Sequence, residues 1–280
     1  MIHVRPQTLA HSQAEPKTGT KPLITAQATT QAQPLQQQLH PLISQLAQTL
    51  KIVWQQQLML FPYEVPTELG YVQGNLEGEK LTIENTCYQS FQFRKLHLEL
   101  AKVGQHLDIL HCVMFPHPCF DLPIFGMDIV AAKGTITAAI VDLSPVSGDK
   151  SRAQPCHRTL PQPYHQALSQ LPSYSFTHPR DLPEWGSIFS EFCLFIRPET
   201  EKEERAFLNQ AIQYLALHCQ LACEAEPLDN LELRSQILAG QKNYCQQQQK
   251  NDKTRRILER AFNKDWAQRY LETMLFDCAV

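Results

Sequence analysis

The sequence predicts an α+β fold: a central antiparallel sheet with helices on its faces. Three observations predict it. The middle of the chain alternates apolar and polar residues in runs joined by short turns, the pattern of antiparallel strands. The final third switches to a helical period of about 3.6, and one amphipathic segment of the same period precedes the strands. Elements of both kinds bury their apolar faces only against each other, so one layered domain is the economical packing. With 280 residues, 43% of them hydrophobic, the chain is long enough for a sizeable core.

In chain order, residues 1–34 (including TKPLITAQATTQAQP) are rich in Gln, Thr, Ala and Pro and poor in large apolar residues. Such a stretch buries too little surface to offset its ordering entropy, so a disordered tail is expected ahead of a single domain over residues 35–280. A transit peptide is the alternative for the tail, because Glu15 is its only acid, but Arg5 is its only arginine and Ser is scarce. From Pro41 to about Gln56, Leu42, Ile43, Leu46, Leu50, Val53 and Trp54 fall on one helical stripe, and Pro41 suits a first turn. GYVQGNL and EKLTIEN flank Glu77-Gly78-Glu79 as a hairpin, and Arg94–Phe115 forms another. Strands are expected at 124–130, 135–143 and 190–196, and helical segments at 202–223, 229–249 and 254–275 with a break near KNDK. Residues 202–223 would bury Phe207, Ala211, Leu215 and His218 or Cys219.

Composition excludes several functions. A net charge of −3 and a pI near 6.4 argue against a general nucleic-acid binder. No apolar run approaches the roughly 18 residues of a membrane span, and none near the N-terminus suits a signal peptide. Nine cysteines, an odd number without repeated spacing, point to reduced thiols in a cytoplasmic compartment. No GxGxxG, GxxxxGK[ST] or GxSxG occurs, so dinucleotide, P-loop and serine-hydrolase readings lapse.

The hairpin RKLHLELAKVGQHLDILHCVMF carries the most informative polar residues. Leu96, Leu98 and Leu100 face one way, and His97, Glu99 and Ala101 the other. If Gly104-Gln105-His106 is a three-residue turn, Val103 pairs with Leu107, Glu99 lies opposite His111, and His97 opposite Val113. A two-residue turn would put His111 on the leucine face, and Gly104 does not choose between them. In the first register Glu99 and His111 are close enough to share a proton. Asp128 joins them if IFGMDIV is the next strand, and Gly126 would leave room there for something bulky and flat. A carboxylate and an imidazole in a partly dry cleft act as proton donor and acceptor.

Two other groupings carry less. HCVMFPHPC and LHCQLAC hold His and Cys residues, but neither CxxC nor HExxH occurs, so no metal site is expected. KNDKTRRILER gathers Lys250, Lys253, Arg255, Arg256 and Arg260. It reads either as a solvated helix face paired with acids such as Glu259, or as a surface for an anionic ligand or an acidic protein. It lacks the interleaved aromatics of a nucleic-acid platform.

The stretches LGYVQGNLEGEKLTIENTCYQSFQFRKLHLELAKVGQHLDILHCVMFP, WGSIFSEFCLFIRPE and YCQQQQKNDKTRRILERAF resemble the ferredoxin-dependent bilin reductases. The similarity runs from about residue 40 to the C-terminus. It implies a three-layer α/β/α sandwich with biliverdin IXα held between the sheet and the C-terminal helices. It also implies an enzyme without flavin, nicotinamide or metal, supplied with single electrons by reduced ferredoxin. The reaction implied is a four-electron reduction to phycocyanobilin through bilin radicals. A two-electron reductase of the same family and a tetrapyrrole-binding protein without catalysis are the alternatives.

By the same resemblance Asp128 is the central proton donor and His111 its partner across the substrate. Glu99 directs protons to the exocyclic vinyl of the D ring, and His97 holds His111 through a hydrogen-bonded network. Lys253, Arg180 and Thr137 are the candidates for the propionates, and Asn251 approaches the bilin from the KND segment. The set Glu99, His111 and Asp128 favours the four-electron member. Ferredoxins are acidic, so a basic rim in the C-terminal region is expected on a protein that is otherwise a cytoplasmic monomer.

Overall fold

The computed structural model describes residues 33–147 and 158–278. The tail expected over 1–34 lies, apart from Gln33 and Pro34, outside the described residues. Strands β1 (Phe61–Pro62), β2 (Tyr71–Leu76), β3 (Glu79–Gln89), β4 (Phe93–Val103), β5 (Leu107–Pro116), β6 (Ile124–Ala132), β7 (Thr135–Ser144) and β8 (Leu194–Ile196) form one antiparallel sheet. Their order is β1-β3-β4-β5-β6-β7-β8, with β2 also paired to β3. The helices are α1 (Pro41–Gln57), α2 (Thr67–Gly70), α3 (Gln162–Ser169), α4 (Glu201–Glu224), α5 (Leu231–Gln248), α6 (Asp252–Ala261) and α7 (Lys264–Tyr270). Among the described residues no helix is long and apolar enough to cross a membrane.

The turns set the register. Glu77-Gly78 and Lys133-Gly134 have positive φ at both central residues, 54° and 89° in one, 52° and 76° in the other, which matches the twist of a two-residue hairpin. Gly104, at φ 48°, opens the three-residue turn that pairs Val103 with Leu107. Leu96, Leu98 and Leu100 therefore face α1 and α4, in a core with Trp54, Met114, Phe207 and Leu215. Each such side chain contributes about 1.5–3 kcal/mol on full burial. The opposite face packs Val113, Phe115 and Ile124 under Tyr244, Leu258 and Tyr270 of α5, α6 and α7. Helices on both faces of an antiparallel sheet make the three-layer sandwich.

Three local expectations change. The strand expected over 190–196 shrinks to Leu194–Ile196. The buried carboxylate of Asp142 captures Ser190 by its amide (3.0 Å) and hydroxyl, and the Ser190 hydroxyl then accepts from Phe192 N. This turn outcompetes extended pairing. The helix expected over 254–275 breaks at Phe262, because Asn263 caps α7 by accepting from Trp266 N at 2.8 Å. It ends in a π turn over Leu271–Leu275. The space expected beside Gly126 is already filled: a Cβ there would lie 2.8 Å from the Tyr244 hydroxyl. That glycine admits a side chain of α5, not a ligand.

Helix α5, which carries Tyr244 and Gln248 over the sheet, approaches the end of β7 at Gly240. A Cβ at that position would lie 2.0 Å from the Val146 carbonyl oxygen. Gly240→Ala should destabilise the protein by about 1–3 kcal/mol, seen as a lower urea midpoint; an unchanged midpoint would contradict the close approach.

Candidate active site

Antiparallel pairing lines up one row across five strands: Asn85 opposite Glu99, Glu99 opposite His111, His111 opposite Asp128, and Asp128 opposite Ile140. Residues two apart on a strand share a face, so His97 and Ala101 flank this row. His111 Nδ1 and Asp128 Oδ1 are 2.6 Å apart. The imidazole is 8% exposed and the carboxylate 43%, so the pair reaches from the sheet into open space. The Tyr270 hydroxyl donates to Glu99 Oε2 at 2.6 Å and lies 3.0 Å from Asn85 Oδ1. His97 Nε2 bonds the same Asn85 oxygen at 2.7 Å.

Above the row lies a cavity of about 600 Å³, within the roughly 300–1,000 Å³ range of small-molecule sites. Its floor includes Glu99, His111 and Asp128, and its other walls include Phe189, Gln248, Leu258 and Phe276. Phe276 packs edge-on against His111, ring centres 5.6 Å apart. Arg180, Asn251 and Lys253 stand along the same cavity. The Arg180 guanidinium lies over the Phe195 ring and donates to the Thr137 carbonyl at 2.8 Å. Asn251 caps α6 by accepting from Lys253 N, and the Lys253 ammonium has no ion-pair partner among the described residues.

The electrostatics follow from burial and partners. Burial pulls His111 down, but the charge and hydrogen bond of Asp128, with the charge of Glu99, outweigh it and raise its pKa above the ordinary 6.5. Burial raises Glu99 above its ordinary 4.5, while His111 and Tyr270 restrain the rise. His97 is held well below 6.5 by burial, then by Lys95 and His111, so it is neutral. His97 Nδ1 and His111 Nε2 are buried without a hydrogen-bond partner.

Six of the eight site residues read from the sequence border the cavity. Thr137 does not; its hydroxyl donates to the Val130 carbonyl at 3.1 Å, where a bulge interrupts the β6–β7 pairing. His97 is fully buried behind the cavity, and it meets His111 only by ring contact at 5.8 Å. Its hydrogen bonds run through Asn85 and Tyr270 to Glu99, so the network expected to hold His111 instead holds Glu99. The basic run is mostly engaged at the surface, with Arg256 on Asp252 and Arg260 on Glu77, each at 3.0 Å. Among the described residues no three His, Cys, Asp or Glu side chains gather as a metal site requires. Sequence reasoning missed Asn85, Tyr270 and Lys95. Alternation along β4 reveals Lys95 as the next residue on the His97 face, whereas Tyr270 arrives from a distant helix.

Fold and site together define a class: an α/β/α sandwich enzyme whose sheet carries an acid–imidazole row on the floor of a cleft sized for one organic molecule. A family model described as ferredoxin-dependent bilin reductase matches residues 47–277. The chain belongs to that family, whose members are oxidoreductases with ferredoxin as electron donor. The phycocyanobilin:ferredoxin oxidoreductase of Synechococcus sp. is 54% identical over 244 residues, 87% of this chain and 95% of that one. The protein of the same name from Trichodesmium erythraeum is 54% identical over 240 residues, covering 86% and 94%. The crystal structure of tomato phytochromobilin synthase in complex with biliverdin matches with a TM-score of 0.65 over 84% of each chain. At 16% identity that likeness concerns the fold alone.

Tyr270→Phe tests the Glu99 environment. A carboxyl whose folded pKa is raised holds its proton more tightly when folded; its stabilising share is complete below the unfolded value and is lost as pH rises through the folded one. Removing the Tyr270 donor raises the folded pKa of Glu99 further. The variant should lose about 1–3 kcal/mol at neutral pH and less near about pH 4, below the 4.5 of an ordinary Glu. Urea titrations at several pH values would read this; a loss independent of pH would count against it.

Proposed function

We propose that this protein reduces biliverdin IXα to phycocyanobilin, taking four electrons singly from ferredoxin and supplying four protons from the protein. The observation that carries the reading is the unbroken Glu99–His111–Asp128 row on the floor of the cavity. The names of relatives at 54% identity supply phycocyanobilin and ferredoxin, and biliverdin is the ligand in the tomato phytochromobilin synthase structure. An electron placed on a conjugated ligand in a water-poor cleft is expensive to hold unless a proton follows it. Asp128 reaches furthest into the cleft and is the central donor. His111, with its raised proton affinity and direct hydrogen bond, returns a proton to it. Glu99, kept proton-rich by burial and aimed by Tyr270, serves a second point on the ligand's edge.

His111 Nε2, buried without a protein partner, is free to donate to the ligand once the cleft is filled. Lys253 and Arg180 offer positive charge to the propionates, and Asn251 sets the start of α6 beside them. His97 and Thr137 support the site from behind rather than touch the ligand. The eight described cysteines are all free thiols, which suits a reducing cytoplasm, and we take the working form to be a monomer.

Asp128→Asn should keep biliverdin binding but slow turnover by about 10²–10⁴-fold, the usual worth of a proton donor. Glu99→Gln should accumulate a partly reduced bilin, because one of the proton routes remains. Anaerobic turnover with reduced ferredoxin, followed by visible absorption and chromatography of the bilins, reads both. Full conversion by Glu99→Gln would remove its assigned role, and a wild-type spectrum that never reaches phycocyanobilin would overturn the reading.

A further inference from the structure

The segment Thr273–Asp277 closes one side of the cleft, and side chains with no part in the proposed proton transfer hold it there. Lys95 is wholly buried. Its ammonium donates to the carbonyls of Thr273 and Met274, each at 2.8 Å, and lies 3.2 Å from Asp277 Oδ2. Both carbonyls belong to the π turn, whose wide winding leaves main-chain acceptors to be met from outside. Arg94 grips Asp277 from the other side, Nη1 to Oδ1 at 2.8 Å and Nη2 to the main-chain oxygen at 3.0 Å. The Tyr63 hydroxyl donates to Oδ2 at 3.2 Å. Between the clamped residues stands Phe276, the ring that packs on His111.

The clamp also carries charge to the proton-bearing row. Lys95, His97 and Glu99 share one face of β4, spaced about 7 Å from one to the next. Two cations against one carboxylate leave the clamp with one positive charge in excess. Lys95 has no solvent around it to screen that charge. The groups facing His111 are Glu99 and His97 from β4, Asp128 from β6 and Phe276 from the C-terminal turn. Tyr270 of α7 and Tyr244 of α5 stand one layer behind. Against the two carboxylates, Lys95 is the cation that opposes protonation of His111, and it helps to keep His97 neutral.

We propose that Lys95 and Asp277 are positioning residues for His111: together they seat Phe276 on the imidazole and set the buried charge that readies its proton for transfer. The inference deepens the reading of the site as a proton-delivery row and rests on it. Without Lys95 the imidazolium beside Asp128 would be a more reluctant donor; without Asp277 it would give up its proton too early.

Histidine titration by NMR in the protein without substrate tests this. Lys95→Met keeps the length and removes the charge, so the His111 titration should move up by about half a unit, less than the roughly 1–3 units of an ion pair in contact. Asp277→Asn keeps the shape and removes the counter-charge, so the titration should move down. Loosening of Phe276 alone would admit water and move His111 the same way in both variants, back towards its ordinary 6.5; the opposite signs therefore separate the charge from mere support. The pH profile of biliverdin turnover should follow in the same two directions. Shifts of one sign in both variants, or none, would overturn the proposal. If Lys95→Met does not fold, Asp277→Asn is read against Phe276→Leu, which loosens the ring and keeps the charges; an upward or absent shift in Asp277→Asn, or one no larger than that of Phe276→Leu, overturns it. Because the titration needs no biliverdin, failure of the functional reading would appear separately, as absent turnover in the wild type.

Discussion

The hydrogen bond between His111 and Asp128, 2.6 Å across neighbouring strands, is the constraint on which the rest of the structure depends. The buried imidazole is not cheap to charge alone; desolvation by itself would drive it toward its neutral form. Side by side the two groups can keep a proton between them and still leave the carboxylate open to the cleft. That arrangement exists in one register only. A slip of one residue in β5 would send His111 into the core under α1 and α4, where an uncompensated charge costs about 3–5 kcal/mol. The turns at Gly104 and Lys133-Gly134 and the leucines of β4 therefore serve the chemistry as much as the fold.

Sheet and helices divide the remaining work. The sheet presents polar groups from adjacent strands, where cross-strand spacing is fixed by backbone hydrogen bonds and side chains have little freedom to drift. The helices of the third layer supply what orients those groups and excludes water: Tyr270 for Glu99, Tyr244 against Gly126, and Phe276 over His111. Asn85 lies within hydrogen-bond reach of Tyr270 and bonds His97, joining β3, β4 and α7 in one network. Buried networks of this kind hold only when nearly every member is satisfied.

Much of this was legible in the sequence because it is local. Period-two alternation in β4 and β5, with a glycine at the turn, places Glu99 and His111 face to face in one of two registers, and the structure selects it. Helix α1 follows from its apolar stripe and Pro41. What the sequence concealed depends on contacts between distant segments. Asp142 captures Ser190 across 48 residues and erases half of an expected strand. Tyr270 reaches Glu99 across 171 residues, and Lys95 reaches Met274 across 179; no periodicity announces either. Gly126 was read rightly as a close approach and wrongly as room for a ligand, since the small residue does not say which neighbour will use the space. Thr137 fails for a related reason: the bulge beside it turns its hydroxyl to the main chain.

The states of the buried groups suggest why the row suits electron-driven chemistry. Burial pushes Glu99 toward its protonated form and His97 toward its neutral form. His111 and Asp128 face each other across one hydrogen bond, which favours a proton on the imidazole. A floor where burial works against isolated charge has little field with which to hold an added electron on a ligand above it. At an interior dielectric between about 4 and 20, a lone charge in such a slot is strongly disfavoured. In the proposed reaction, transfer of a proton from the adjacent His111–Asp128 pair would remove that charge over a single hydrogen-bond length. On that proposal the site would not need to attract the electron, only to make the protonated product the cheapest place for it to remain.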